Sequence, residues 1–179
     1  ERPEWIIEGL RILLKLFPNA KGILAIGEQQ QEAHTALQKI LADTRNIKIV
    51  PMKNKYPQDT ERMLIYSCTG KKINSSKTSE DARCVVLNSD TVYAICNAVT
   101  FGKPMYKRLM TISGDCVRNP KNMEVYIGTT LAELVAETGP FLEAPDKIIC
   151  GGPMMGELLE DLEVPVTKEI TAVLCLKDK

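Results

Sequence analysis

The feature that most constrains the fold of this chain is a series of turns and short apolar segments within residues 107–156. One apolar segment ends at Gly114, and Asn119-Pro120 then separates it from a second segment, residues 123–127, in which apolar and polar side chains alternate. Alternation of this kind with turn residues on both sides is the signature of a β-hairpin. The sequence therefore predicts two antiparallel strands joined by a short turn.

A short helix and a third strand are predicted directly after this hairpin. Thr130 and Glu133 have the spacing of a capping box, in which each residue can bond to the backbone at the other. The helix carries an apolar face of Leu131, Leu134 and Val135, and Gly139-Pro140 ends it. Residues 147–150 follow as a strand. The order β-β-α-β, with one short helix over a small sheet, indicates a β-grasp plan.

Residues 1–106 show a different pattern, in which helices and strands alternate. Pro3 begins a helix, and residues 22–27 are a continuous apolar run typical of a parallel strand. Residues 46–50 are predicted as the next strand. The sequence also predicts a buried strand at residues 84–88, followed by a helix capped by Ser89-Asp90. The first helix has a stripe of side chains expected to be buried: Ile6, Ile7, Leu10, Leu13, Leu14 and Phe17. This alternation predicts half of an open α/β sheet.

Two sequence motifs resemble a known family. The segment TISGDCVRNPKNMEVYIGTTLAELV resembles the soluble-ligand-binding β-grasp (SLBB) module. The GGPMMG motif and the following VPVTK resemble the C subunits of Rnf-type electron-transport complexes and their relatives, which are similar to the flavoprotein subunit of respiratory complex I. The resemblance implies an α/β fold. It divides the chain into a partial Rossmann-like domain that binds FMN and NADH (1–106), an SLBB β-grasp domain (107–150) and a return segment (151–179).

The resemblance also points to a loop, residues 55–61, between a strand and a helix. In the family this loop reads Tyr-Pro, one variable residue, two small residues and a glutamate that lies near the flavin and the nicotinamide. Tyr56 and Glu61 match that motif, whereas Asp59-Thr60 replaces the small pair. Alternatively, Asp59 or Thr60 caps the helix and the helix dipole stabilises Glu61, which requires no ligand.

Three further sets of residues have both a functional and a structural interpretation. Asn88 and Thr91 match two positions of a family segment whose asparagine lies beside the flavin, but Asn88 can equally be a turn or cap residue. Lys71 and Lys72 either face a phosphate group or are solvated. The Gly-Gly-Pro turn at residue 151 is expected to return the chain to the first domain, with Met154 and Met155 packed.

No metal site is expected in this sequence. The six cysteines lack the close pairs that zinc and iron–sulfur sites need, so they are expected to be small buried hydrophobic residues. His34, the one histidine, is expected on the surface. In the family, 4Fe-4S cysteine motifs follow the SLBB region, so clusters are expected only outside this sequence. The family's glycine-rich flavin loop lies upstream, so this sequence is expected to be an internal fragment that is inactive and does not bind flavin by itself.

The charge balance argues against nucleic acid as a partner, and the apolar pattern argues against a membrane-spanning helix. Twenty-three basic residues balance 23 acidic ones, which argues against nucleic acid, and no apolar run approaches the roughly 20 residues of a membrane span. The resemblance implies a peripheral electron-transfer subunit that passes electrons from NADH through FMN to iron–sulfur centres. Its partners would be other subunits of a membrane-bound complex at the cytoplasmic face, or a soluble amino-acid reductase. The alternative is a non-catalytic SLBB docking module with a degenerate flavin site.

Overall fold

The computed structural model describes residues 2–42, 44–56, 58 and 60–178. The chain forms a mixed α/β structure that divides into two compact units, Glu1–Pro104 and Met105–Lys179, called here the first and second unit. No helix among the described residues is both long enough and apolar enough to cross a bilayer.

The first unit alternates helices with two parallel strands, as the sequence predicts. Strand β1 pairs with β2 so that Gly22 lies opposite Ile47 and Gly27 lies opposite Met52. The core consists of Ile7, Ile26, Leu37, Leu41 and Ile47. The elements are α1 (Pro3–Leu16), β1 (Gly22–Gly27), α2 (Gln31–Leu41), β2 (Ile47–Met52), α3 (Glu61–Thr69) and α4 (Ser89–Phe101).

Helices α1 and α4 pack closely because Gly9 has no side chain. A Cβ atom at Gly9 would lie only 2.2 Å from the carbonyl oxygen of Val92. Towards the start of α1, the Trp5 ring stacks on Tyr93 at a centroid distance of 5.3 Å and also contacts Phe101 at 5.1 Å. The predicted stripe of α1 is confirmed only in part, since Ile7 is buried but Phe17, at the end, is 56% exposed. The other members of the stripe are half-buried: Ile6, Leu10, Leu13 and Leu14.

The predicted strand at residues 84–88 is wrong. The segment has no strand assignment, and the Val85 side chain is 72% exposed. An apolar run favours an extended backbone, but a strand also needs a neighbour for its N–H and C=O groups, and among the described residues β1 and β2 pair only with each other. The predicted Ser89-Asp90 cap is also displaced, since Asn88 is the N-cap of α4.

The second unit is built on a five-stranded sheet. Its order is β4-β3-β7-β5-β6, in which β3 and β7 are parallel and the other neighbours are antiparallel. The β3–β4 hairpin, the helix and the strand at residues 147–150 confirm the sequence-based expectation. The elements are β3 (Lys107–Ser113), β4 (Lys121–Tyr126), α5 (Leu131–Ala136), β5 (Lys147–Cys150), β6 (Glu157–Leu159) and β7 (Ala172–Leu176).

Helix α5 covers one face of this sheet, and its apolar side chains form part of the core of the second unit. The side-chain oxygen of Thr130 accepts a hydrogen bond from the Glu133 N–H at 3.3 Å, which is the predicted N-cap. Alternate residues of β3 are buried beneath it. The buried apolar side chains are Met110, Ile112, Cys116, Val117, Val125, Leu131, Leu134, Val135, Val166, Val173 and Cys175.

The Gly-Gly-Pro-Met-Met-Gly segment turns the chain from β5 into β6 within the same sheet. Residues 151–179, set apart in the sequence analysis as a return segment, contribute β6 and the internal strand β7. The expectation that Met154 and Met155 pack is wrong, since they are 67% and 74% exposed. Both occupy the tip of this turn, where the chain leaves the sheet.

Candidate functional site

The loops that leave β1 and β2 lie side by side at one edge of the parallel pair. Gly27 and Met52 are partners in the register, and the N–H of Glu28 donates to the carbonyl of Met52 at 2.9 Å. In open α/β sheets, the crevice beyond the carboxyl ends of the strands is the usual place for ligands. Two of the candidate residues, Tyr56 and Glu61, lie on the loop and helix start that follow β2.

Glu61 is the first residue of α3, and Thr60 is the N-cap. The Thr60 side chain forms no capping hydrogen bond, so it does not satisfy the N–H groups of the first turn. Glu61 is exposed, and within the described residues its carboxylate forms no ion pair or side-chain hydrogen bond. Tyr56 is 57% exposed. Pro57 and Asp59, including the suggested Asp59 cap, lie outside the described residues.

Gln58 is a further candidate residue that the sequence analysis missed. Its Oε1 atom is buried and has no hydrogen-bond partner among the described residues. A buried polar atom without a partner is uncommon in folded proteins, and it is often completed by a water molecule or a ligand. No sequence signal could identify it, because a glutamine in a polar loop is normally solvated.

Asn88 and Thr91 lie together at the start of α4. Asn88 is the N-cap, with extended backbone angles (φ −70°, ψ 152°), but its side chain forms no capping bond. Both residues are exposed, and neither side chain is engaged by another described residue. Asn88 therefore occupies the cap position of the structural alternative, but its side chain does not bond to the helix. Its amide and the Thr91 hydroxyl remain available as donors and acceptors.

The four candidates thus form two pairs, each at the N-terminus of a helix in the first unit. Tyr56 and Glu61 flank the entry to α3, and Asn88 and Thr91 flank the entry to α4. No hydrogen bond or ion pair joins Glu61 to Asn88 or Thr91 in the part of the chain that the structure describes. Free N–H groups at helix starts attract anions and polar ligand atoms. Both pairs therefore have the donors, acceptors and exposure that ligand binding needs.

A separate cleft in the first unit is rich in basic side chains. It has a volume of about 420 Å³ and includes both Lys71 and Lys72, for which the sequence left a phosphate-facing role open. None of the four candidate residues lines it.

The cysteine and histidine side chains that the structure describes show no arrangement for metal binding. Among the described residues, no group of three or more His, Cys, Asp and Glu side chains could hold an ion. Cys96, Cys116 and Cys175 are buried, as expected, whereas Cys68, Cys84 and Cys150 are half-buried. Burial, together with the nearby Cys116, raises the pKa of the Cys175 thiol to about 11. His34 is half-buried on α2.

Two family models match the chain, one to each part of it. The Nuo51 FMN-binding domain matches residues 1–97, and the SLBB domain matches residues 109–158. The first match includes both pairs of candidate residues. The second begins inside β3 and ends inside β6.

Curated relatives align with nearly the whole chain. The C subunit of the Na(+)-translocating ferredoxin:NAD(+) oxidoreductase complex of Acetobacterium woodii is 33% identical over 97% of this chain, which covers 39% of that relative. The C subunit of the proton-translocating ferredoxin:NAD(+) oxidoreductase complex of Clostridium ljungdahlii is 36% identical over 98% of this chain and 38% of that relative. The C subunit of the ion-translocating oxidoreductase complex of Rhodobacter capsulatus is 35% identical over 98% of this chain and 34% of that relative. The chain thus spans well under half the length of each of these relatives.

Proposed function

The chain belongs to the Nuo51 FMN-binding domain family and is of the Rnf-type C subunit class, and we propose that it is part of an electron-transfer subunit that binds FMN and NADH. In the proposed subunit, electrons pass from NADH through FMN to 4Fe-4S centres outside this sequence. Its partners are the other subunits of an ion-translocating complex on the cytoplasmic face of a membrane. The observation that carries the proposal is the match of the FMN-binding model to residues 1–97, which contain both helix-start pairs.

We also propose a Rossmann-like fold for the first unit and a β-grasp fold for the second. The parallel β1–β2 pair connected through α2 supports the former. The β-grasp proposal is supported by the β3–β4 hairpin, by the covering helix α5 and by the last strand, β7, which is internal to the sheet and parallel to β3. With these folds, the first unit would bind FMN and NADH, and the second unit would recognise a ligand or a partner protein.

The site residues fit the polar groups of a flavin nucleotide. The Asn88 amide can both donate and accept, as can the Thr91 hydroxyl, so together they suit the ring edge or ribityl chain of FMN. The Gln58 Oε1 atom, which has no hydrogen-bond partner among the described residues, offers an additional acceptor in the loop between β2 and α3. When bound, the flavin supplies the redox step, and the protein fixes its position and potential.

Glu61 and Tyr56 suit the nicotinamide nucleotide. The Glu61 carboxylate can accept hydrogen bonds from ribose hydroxyls, which are neutral donors. It is unsuited to contacting phosphate, because like charges repel. The exposed Tyr56 ring offers an apolar face for stacking. We therefore assign Asn88 and Thr91 to FMN, and Glu61 and Tyr56 to NADH.

The test is flavin and NADH binding by the product of the complete reading frame. FMN binding is followed by quenching of flavin fluorescence, and electron transfer by NADH-dependent bleaching. We expect Asn88→Ala to weaken FMN binding about tenfold, the cost of one hydrogen bond in a closed site. We expect Glu61→Gln to slow bleaching at low NADH while FMN affinity is unchanged.

Glu4→Gln is the matched control, because Glu4 is also a carboxylate in the first turn of a helix in the same unit. It should leave both measurements unchanged. A complete, well-folded protein that binds no flavin would overturn the redox proposal and leave the SLBB docking module as the better account. If Glu4→Gln reproduced the effect of Glu61→Gln, the nucleotide assignment of Glu61 would be wrong.

A further inference from the structure

The basic cleft of the first unit has the size of a small-molecule site. Its volume of about 420 Å³ lies within the range of pockets that hold metabolites and nucleotides. It begins just beyond the C-terminal end of α3, and a half-buried Ile73 provides an apolar part of its lining. The other lining residues are Lys71, Lys72, Lys77, Thr78, Asp81, Ala82 and Arg83.

The charge of this cleft is strongly unbalanced. Four of its lining residues are cationic and one is acidic, although the chain as a whole has a formal net charge of zero. Within the part of the chain that the structure describes, Lys72, Lys77 and Arg83 form no ion pair. Such a concentration of unneutralised cations around a concave surface attracts an anion.

The walls of the cleft are held in place by hydrogen bonds to the backbone. The Arg62 guanidinium on α3 donates to the carbonyls of Ser75 and Lys77, at 3.1 and 3.4 Å. Across the cleft, Lys71 Nζ donates to the carbonyl of Ala82 at 2.5 Å. A site that is formed before binding loses less conformational entropy when the ligand arrives.

The acidic residue of the cleft is engaged by the turn that carries it. Asp81 Oδ2 accepts hydrogen bonds from the backbone N–H of Thr78 at 2.9 Å and from its hydroxyl at 3.4 Å. These bonds place the carboxylate in a structural role at the start of the turn, and the lysines and Arg83 dominate the charge that a ligand meets.

Arg83 has the only positive φ angle, 54°, among the described non-glycine residues. A side-chain-bearing residue in this left-handed conformation is uncommon and costs free energy, and such residues cluster at ligand sites. The conformation occurs at a residue that lines the cleft.

We propose that this cleft binds the phosphate group of a small phosphorylated ligand. Arg83 supplies a planar donor that matches two phosphate oxygens, and Lys72 and Lys77 supply point charges around them. Because Tyr56, Glu61, Asn88 and Thr91 do not line the cleft, the proposal is independent of flavin and of the proposed electron transfer.

The test is isothermal titration of the 179-residue chain with inorganic phosphate, 5′-AMP and adenosine. We expect phosphate and 5′-AMP to bind and adenosine not to bind. Arg83→Gln and Lys72→Gln should each weaken binding of both anions about tenfold, because each removes a charge-assisted contact. Lys15→Gln is the matched control, since it removes the same charge from an exposed position on α1 and should leave the affinities unchanged.

The two anions distinguish the sources of the phosphate. Tighter binding of 5′-AMP indicates a nucleotide, and equal affinities indicate that the phosphate alone is recognised, so either result supports the proposal. Failure of both anions to bind, adenosine affinity equal to that of 5′-AMP, or equal weakening by Lys15→Gln would each overturn it. Circular dichroism checks folding, and Arg83→Gly provides a second variant in which the strained conformation is relieved while the charge is lost.

Discussion

At the scale of single residues, Arg83 combines a strained backbone with a charged side chain. We predict that Arg83→Gly raises the free energy of unfolding by about 1 kcal/mol, because glycine adopts the left-handed region without a Cβ clash. Urea denaturation followed by circular dichroism measures the change. The gain in stability should accompany a loss of phosphate binding. This result would show that the Arg83 conformation lowers stability while the Arg83 side chain contributes to phosphate affinity.

Arg83→Ala is the control for this prediction. Alanine removes the same guanidinium but keeps a Cβ atom, so it should give none of the stabilisation. If Arg83→Ala were as stable as Arg83→Gly, the effect would come from removing a charge from the basic cleft, and the backbone argument would be wrong.

The Cys175 thiol is expected to be chemically inert in the folded protein. With its pKa raised to about 11, roughly one molecule in a thousand carries the thiolate at pH 8. We predict that iodoacetamide modifies the half-buried Cys84 in the native protein well before Cys175. Peptide mass spectrometry over a time course measures the two rates. Modification in urea should equalise them, and equal rates in the native protein would contradict the burial of Cys175.

At the scale of elements, the contact between α1 and α4 depends on Gly9. Glycine to alanine within a helix usually stabilises it by about 1 kcal/mol. Here we predict the opposite sign, a loss of about 1–3 kcal/mol, because the added Cβ would lie 2.2 Å from the Val92 carbonyl oxygen and 2.9 Å from its Cγ1. Urea denaturation of Gly9→Ala measures the loss.

Gly27→Ala is a suitable comparison in the same unit. The atoms nearest to a Cβ atom at Gly27 would belong to the Gln29 side chain, at 3.4 Å, which is an ordinary contact distance, and this side chain can move. This variant should therefore change stability much less than Gly9→Ala. Stabilisation by Gly9→Ala would show that the two helices are not in the close contact described.

Elements whose hydrogen bonds are local could be predicted well from the sequence. The β3–β4 hairpin, α5 with its Thr130 cap and the strand at residues 147–150 lie where the alternation and turn residues place them. Residues 84–88 show why the others could not be predicted. Their apolar pattern is as clear, yet Val85 is exposed and no strand forms, because pairing depends on a neighbour that the local sequence does not specify.

At the scale of the whole molecule, the two units have separate cores with no buried residue in common. We predict that Leu131→Ala, at a fully buried position of α5, lowers the free energy of unfolding of the second unit by about 2–5 kcal/mol. Hydrogen exchange should show the loss of protection in residues 105–178. Ala132→Gly, at a half-buried neighbouring position on the same helix, is the control and should cost about 1 kcal/mol.

A uniform loss of protection across both units would contradict this prediction and indicate one cooperative folding unit. The same comparison bears on the proposed function, because the proposed nucleotide residues all belong to the first unit. Destabilising the second unit should leave the affinity of the basic cleft in the first unit for phosphate unchanged.

The sequence by itself determined the family, the mixed α/β class and most of the locally bonded elements, since motifs, capping residues and alternation act over a few positions. It also placed Glu61 at a helix start, whereas only the structure shows that Asn88 begins a helix; the roles of both residues remain predictions. The tertiary structure decided which segments pair, and it exposed Met154 and Met155. It left Gln58 Oε1 without a partner among the described residues and gathered Lys72, Lys77 and Arg83 around one cleft. These features depend on which backbones approach each other in space, and a single local pattern is compatible with several such arrangements.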